Sequence, residues 1–298
     1  MTSAQRPFGT VLTAMVTPMF DDGSIDLEGA QRLAKYLVDH GSDGLVISGT
    51  TGEAPTTHAP EKEDLTRAIV EAVGDRAMVV AGAGSNDTAH AVMMAAQAQE
   101  CGAHGILALT PYYSKPSQAG VVAHFNAICD ASDLPVMIYD IPGRTALAIG
   151  DDAFDKISQL PTVKALKDAT GDVAQAKSRI ERSDVAWYSG DDPLTLEFMR
   201  VGAVGVVSVV SHVAGEWVRD MIAAHDAGNT SLAEELNERT SPVTAAIMSP
   251  GPGATMAKAG MQALGVLSGR HMRLPLLPAT SQEYDSLTAA LVAAGLKN

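Results

Sequence analysis

Val163-Lys164-Ala165-Leu166-Lys167-Asp168-Ala169-Thr170-Gly171 reads as a short apolar strand that ends on a lysine and runs into a glycine-bearing turn. Side chains alternate along a strand, so Val163, Ala165 and Lys167 are expected on one face and Lys164 and Leu166 on the other. An amine that closes an apolar face loses hydration when charged; its pKa falls and the neutral nucleophile becomes available. Taken alone, the same lysine reads more simply as a surface residue that snorkels to water. Its neighbours decide between the two.

Working outward, similar apolar runs occupy residues 10–16, 44–48, 77–81, 105–109, 135–140, 186–189 and 204–209. Most of their starts fall about 20 to 35 residues apart, room for one helix and two loops each time. Eight such units predict an α/β fold, a (β/α)8 TIM barrel, rather than an open doubly wound sheet. The spacing tightens after the sixth strand, so the helices that follow strands six and seven should be short. Between the first two strands Leu27, Ala30, Leu33, Ala34, Leu37 and Val38 form one apolar stripe at helical spacing, with Asp26 placed to cap it. Asp87 is placed to cap a helix carrying Val92, Met93, Ala96 and Ala98, and a fourth helix is expected around 121–131.

After Gly228 the strand signal stops. Residues 232–247, 254–267 and 282–296 read as three helices, separated by Ser249-Pro250-Gly251-Pro252-Gly253 and by Leu274-Pro275-Leu276-Leu277-Pro278. The expected organisation is a catalytic barrel over 1–228 and a C-terminal helical extension over 229–298. In its middle helix Ala254, Ala257, Gly260 and Ala263 are small residues three apart, suited to close packing and, in such an appendage, to oligomer contacts.

Apolar residues make up 46% of the 298-residue chain and aromatic ones only 4%, so the core is built from aliphatic side chains and methionine. A net charge of -14 argues against nucleic acid or an anionic membrane as partner. Two cysteines, Cys101 and Cys129, are too few for a disulfide framework and suit a reducing compartment. The start, Met1-Thr2-Ser3-Ala4-Gln5-Arg6-Pro7, lacks the apolar centre of a signal peptide, and no run of about eighteen apolar residues occurs. A cytoplasmic setting is expected.

In a barrel of this type the chemistry gathers at the carboxyl ends of the strands. Strand two runs into Gly49-Thr50-Thr51-Gly52-Glu53, where hydroxyls and backbone N–H groups offer a cradle for a carboxylate. Strand four leads to Thr110-Pro111-Tyr112-Tyr113-Ser114-Lys115-Pro116, which holds two of the six tyrosines. Strand five ends in Tyr139-Asp140-Ile141-Pro142-Gly143-Arg144-Thr145: a phenol able to face Lys167, and a guanidinium able to grip a carboxylate in bidentate fashion. Strand seven supplies Ser189-Gly190-Asp191-Asp192, and strand eight Gly205-Val206-Val207-Ser208-Val209. Each end alone reads as a solvated rim. Together they suit imine chemistry: a neutral lysine attacks a ketone, a tyrosine and hydroxyls carry the protons, and the imine serves as electron sink. No metal and no separate cofactor are needed.

Gly49-Thr50-Thr51-Gly52-Glu53, Pro111-Tyr112-Tyr113, Tyr139-Asp140-Ile141-Pro142-Gly143-Arg144-Thr145 and Leu166-Lys167-Asp168-Ala169-Thr170-Gly171 together resemble the dihydrodipicolinate synthase and N-acetylneuraminate lyase group of pyruvate-dependent class I aldolases, and the likeness runs from Thr13-Ala14-Met15-Val16-Thr17-Pro18 to the helical tail. The resemblance implies a Schiff base between pyruvate and Lys167, with Tyr139 as general acid/base and Thr50 and Tyr113 completing a proton relay. It implies Thr51 and Val207 as pyruvate-binding residues and Gly190 as a further substrate-binding position. In the group the loop tyrosine comes from a neighbouring subunit, so Tyr113 is expected to act across the interface of a homotetramer. Arg144 favours the synthase branch, in which pyruvate condenses with aspartate-4-semialdehyde on the way to diaminopimelate and lysine, over the sialate lyases. The alternatives are an aldolase of the same group acting on a sugar-derived aldehyde, and a barrel that binds a keto acid without turnover.

Two positions depart from the group's pattern. Asp140 stands where many members carry Asn. Ala59, Lys62 and His90 stand where lysine-inhibited members often carry two histidines and a glutamate, while Asn86 is kept, so weak or absent inhibition by lysine is expected. Three other features are read as structural. Gly82-Ala83-Gly84 lacks the third glycine of a dinucleotide fingerprint. Cys101 and His104 are too few for a metal site. Asp21-Asp22 and Asp151-Asp152 are read as loop charges or caps.

Overall fold

The computed structural model describes residues 6–297. The reading of the first five residues as lacking a leader lies outside that range. Eight parallel strands close on themselves: β1 Val11–Ala14, β2 Gly44–Ile47, β3 Met78–Gly82, β4 Gly105–Leu109, β5 Val136–Asp140, β6 Val163–Asp168, β7 Ala186–Ser189 and β8 Gly205–Ser208. β8 returns to β1, with Val11 opposite Val206. The expected (β/α)8 barrel is the observed fold.

The helices are α1 Leu27–Asp39, α2 Ala59–Val73, α3 Thr88–Glu100, α4 Gln118–Asp130, α5 Pro142–Thr145, α6 Asp151–Ile157, α7 Val173–Ile180, α8 Thr195–Arg200, α9 Ser211–Asp226, α10 Thr230–Met248, α11 Gly253–Ala263 and α12 Ser281–Ala293. Their starts follow local chemistry. Asp26 Oδ1 accepts from Gly29 N at 2.7 Å and Asp87 Oδ1 from Ala89 N at 3.0 Å, so both expected caps satisfy otherwise free N–H groups. After β6 and β7 the helices have only 8 and 6 residues, as the sequence spacing predicts. The segment after β5, read as a loop rim, instead forms the single turn α5.

Two apolar layers result. Phe8, Leu12, Ala14, Val46, Val80, Leu107, Met137, Tyr139, Ala165, Tyr188 and Val207 fill the barrel. Leu33, Leu37, Ile69, Phe125, Phe154 and Trp187 belong to the larger layer between strands and helices. One register change decides what β6 contributes to each. Val136 pairs with Val163, but Met137 pairs with Ala165, so Lys164 is an extra residue looped out of the ladder. Val163 therefore packs in the outer layer while Ala165 lies inside the barrel. This corrects the expectation that Val163 shares the face of Lys167: strict alternation from an outward Val163 would turn Lys167 outward, and the bulge turns it in.

The C-terminal helices are tied to the barrel. Glu53, in the left-handed backbone region at φ 59°, sends its carboxylate to the tail. Lys258 Nζ, on α11, donates to Glu53 Oε1 at 2.5 Å and to the His271 carbonyl at 2.7 Å, and Arg273 N donates to Glu53 Oε2 at 2.9 Å. Both charged side chains are 1% exposed. Gly260 lets α11 approach α9 closely, since a Cβ there would sit 2.9 Å from Val213 Cγ1. Among the described residues no helix is long and apolar enough to cross a membrane.

Two carboxyls lie side by side at the ends of β5 and β6, where Asp140 pairs with Asp168. Asp140 accepts from Ile149 N and faces Arg179 at 3.7 Å; Arg179 in turn binds Asp151 at 2.8 Å. Asp151 is thus an engaged charge in the first turn of α6. Asp168 accepts from Thr170 and from Trp187 Nε1. Burial pushes Asp140 up to about 7, opposed by Ile149 N–H and Arg179, and pushes Asp168 in the same direction.

Two outcomes follow from these buried groups. Lys258→Met leaves Glu53 buried without its cation and should cost about 3–5 kcal/mol in denaturant unfolding, with Glu53→Gln/Lys258→Met recovering most of it; an unchanged midpoint in the single variant contradicts the tether. Asp140 binds its proton more tightly folded than unfolded, so its contribution is fully favourable below about pH 4 and is lost as pH rises to about 7. Asp140→Asn should therefore raise stability at pH 8 by about 1–3 kcal/mol and leave it nearly unchanged at pH 4.5. Equal effects at both pH values would refute that account.

Candidate active site

Lys167 occupies the inward-facing end of β6 and is 5% exposed. Its register partner on β5 is Tyr139, and the Lys167 Nζ lies 4.2 Å from the centroid of the Tyr139 ring. Burial lowers the amine to about 8, and the Arg144 charge acts in the same direction, while Asp192 opposes them. Burial also pushes the Tyr139 phenol up to about 12, with Arg144 and Thr50 acting the other way. Near neutral pH a usable share of the amine is therefore unprotonated beside a phenol that keeps its proton. Such a pair can supply a nucleophile and a proton donor that do not compete for one proton.

Gly190 makes room for this arrangement. A Cβ there would meet Asp168 O at 2.9 Å and Lys167 Cγ at 3.0 Å, so β7 can approach the lysine stem only with glycine at this position. Val207 lies within the barrel interior beside Tyr139 and Ala165. Thr50 and Arg144 line a cavity of about 420 Å³ at the barrel mouth, together with Tyr139, Tyr112 and Ile141. Thr51 is buried next to Thr50 in the turn after β2. Arg144 sits in α5, an exposed side chain at the cavity rim.

Thr51 and Tyr113, both sequence-derived site residues, are absent from the cavity wall, and Tyr113 lies farthest from an inward position. It is 89% exposed, adopts φ 70°, and is absent from the wall of the cavity in its own chain, which Tyr112 lines instead. Lys164, by contrast, is exposed.

The structure adds one residue that sequence reasoning passed over. Asp192 is half-buried and accepts from Ser208 Oγ, from Val209 N at 2.8 Å and from Val210 N at 3.2 Å. It is the carboxylate whose charge favours protonated Lys167, which offsets part of the cost of burying the amine. The acidic pair after strand seven was its only signal. The remaining motifs are structural: Gly82 allows β3 to pass Ser48 O, which a Cβ would meet at 2.1 Å, and His104 Nδ1 accepts from Val79 N.

With this geometry in place, comparison with known proteins is specific. The model of the dihydrodipicolinate synthetase family matches residues 7–294. A 4-hydroxy-tetrahydrodipicolinate synthase of Kineococcus radiotolerans is 49% identical over 99% of this chain and 96% of its own length. The 4-hydroxy-tetrahydrodipicolinate synthase 2 of Streptomyces coelicolor is 50% identical over 98% and 97%. Among solved structures, dihydrodipicolinate synthase DapA-2 of Bacillus anthracis superposes with a TM-score of 0.91 at 42% identity, covering 96% of this chain and 98% of that one. The lysine-bound enzyme of Cyanidioschyzon merolae gives 0.92 at 39%, covering 97% and 99%. An inward lysine beside a buried tyrosine, in a chain matched almost end to end, places this protein in the dihydrodipicolinate synthetase family.

Proposed function

We propose that the protein is a lyase that condenses pyruvate with aspartate-4-semialdehyde to 4-hydroxy-tetrahydrodipicolinate, through a Schiff base on Lys167. The observation that carries this reading is the Lys167 amine, brought to about 8 and held against the ring of Tyr139. The neutral Nζ attacks the C2 carbonyl of pyruvate. The resulting carbinolamine loses water as Tyr139 delivers a proton, and an imine forms. Removal of a methyl proton gives the enamine, whose carbon bonds to the aldehyde carbon of the second substrate while the aldehyde oxygen gains a proton. Attack of that substrate's own amine on the imine carbon closes the ring and frees Lys167.

In this scheme Thr50 and Tyr139 form the relay, and Tyr113 joins it from a neighbouring subunit of a homotetramer. The exposed, positive-φ Tyr113, held away from its own cavity, supports an intersubunit role. Thr51, Val207 and Gly190 hold pyruvate, and Arg144 at the rim takes the carboxylate of the semialdehyde. The chemistry is complete with Lys167 as its covalent carrier, without a separate cofactor. Free, buried Cys101 and Cys129 suit a cytoplasmic setting for the enzyme.

Borohydride reduction in the presence of pyruvate should add one pyruvate-derived mass to Lys167 and none to Lys164; label on another lysine, or no label, overturns the mechanism. Arg144→Ala should lower kcat/KM for the semialdehyde by about 100-fold while leaving pyruvate trapping intact. Unchanged turnover of the semialdehyde in that variant would favour a sugar-derived aldehyde as the second substrate.

A further inference from the structure

Arg144 is carried by the segment that leaves β5 after Asp140 and ends at Ile149, just before α6. Ile149 is buried, and its backbone is held on both sides. Its N–H donates to the Asp140 carboxyl at 3.2 Å, and its carbonyl accepts from Arg179 Nη2 of α7 at 2.7 Å. Asp140 and Ile149 therefore close a loop that has Arg144 inside it. Other ties of this segment are uncharged: Gln118 of α4 donates to the Ala148 carbonyl and accepts from Gly150 N, while Thr110 and Thr145 donate to the Leu147 carbonyl.

The Asp140 carboxyl is the titratable half of this clasp, and it is 0% exposed. Arg179 stands 3.7 Å from it but is shared, since its Nε donates to Asp151 of α6 at 2.8 Å. Asp151 is also engaged by Arg182, just past α7, at 3.1 Å. On β6 the register partner Asp168 is buried as well and adds a like charge, with its own oxygens spent on Thr170 and Trp187. One guanidinium thus serves a group of carboxyls. Burial holds Asp140 up at about 7, reinforced by Asp168 and opposed by Ile149 N–H and Arg179.

We propose that Asp140 is a positioning residue for Arg144: it closes the 141–149 segment at Ile149 best when its carboxyl is neutral, and recognition of the semialdehyde weakens as that carboxyl loses its proton. The neutral carboxyl still accepts from Ile149 N through its carbonyl oxygen. It meets water when the segment lifts, and a hydrated Asp140 returns to the ordinary carboxylate range near about 4. Closing therefore takes up a proton. The closed form has its full advantage below about pH 4 and loses it as pH rises to about 7. The inference rests on the role proposed above for Arg144. Tyr139 and Lys167 are fixed by their own ladder pair, so the effect falls on KM for the semialdehyde and not on pyruvate.

Kinetics of the full chain and of Asp140→Asn at about pH 5.5 and about pH 8 test this, because comparison at each pH cancels the ionisation of the substrate itself. At the higher pH the parent should show a KM for the semialdehyde at least about threefold above that of Asp140→Asn, and at the lower pH the two should agree. KM for pyruvate should match at both. Asp140→Ala, which removes the acceptor, should raise the semialdehyde KM at both pH values. Hydrogen exchange gives a readout without turnover. Protection of the 141–149 amides, corrected for intrinsic rates, should fall at least about tenfold between the two pH values in the parent and stay level in Asp140→Asn. Identical pH responses in the two proteins overturn the inference. So does exchange of 141–149 that never outpaces that of β5 and β6, since the carboxyl would then act on the whole fold. Asp140→Asn carries the test if Asp140→Ala does not fold. Failure of pyruvate trapping with the exchange difference intact strikes the catalytic reading alone; Arg144-dependent turnover with no exchange difference strikes only this one.

Discussion

The site depends on a single extra residue in one ladder. Lys164 loops out where β6 leaves the register of its first pair with β5, and from there Ala165 and Lys167 face the barrel axis. Without that insertion the alternation set by an outward Val163 would turn Lys167 toward the helices and Leu166 into the barrel. Everything said of the lysine's chemistry rests on its inward position: its loss of hydration, its place over the Tyr139 ring, and the requirement for glycine at 190. Bulges of this kind re-aim side chains at the cost of local pairing. Here the cost falls at the start of the strand, away from the Tyr139–Lys167 and Asp140–Asp168 pairs that define the site.

An inward amine must still be tolerated. Full burial of an unpaired ammonium would drive its pKa far below neutrality, whereas a close carboxylate pair would hold it protonated and inert. Asp192 provides the intermediate solution. Its carboxylate is held by Ser208 Oγ and two backbone N–H groups, so its negative charge is already shared when Lys167 senses it. The result is an amine brought to about 8 rather than locked in either state. Glu53 and Lys258 show the opposite arrangement, a direct contact at 2.5 Å with further hydrogen bonds to each partner, which suits a tether and not a reagent.

What the sequence made legible follows the range of the interactions involved. Strand positions, the caps at Asp26 and Asp87 and the short α7 and α8 depend on residues a few places apart, and they were read correctly. The bulge was not, because a looped-out Lys164 shows only against its partner strand. Asp192 and the Glu53–Lys258 pair escaped for a similar reason: their partners are distant in the chain, and an acidic residue in a turn looks like any other solvated charge. Glu53 was read as part of a carboxylate cradle, yet its own carboxylate turns away to hold the C-terminal helices. Recognition of the family's loops supplied Thr50, Arg144 and Tyr113, and physical reading of the isolated turns would have ranked none of them above a polar rim. Tyr113 marks the limit of a single chain, since its side chain is exposed on its own barrel.

The charge distribution connects these points. An acidic surface keeps the protein soluble but repels the anions that the proposed reaction uses, and screening leaves that repulsion partly in force near the mouth. Among the described residues the cavity wall holds Arg144 and Lys62 but no Asp or Glu, and Tyr139 lies on the same wall. Three nearby carboxylates are bonded elsewhere: Asp192 to β8, Glu61 to Arg273, Glu53 to the tail. Pairing thus holds these three charges away from the cavity wall. That is why the chain's acidic composition, which argues against nucleic acid as a partner, leaves room for small anions.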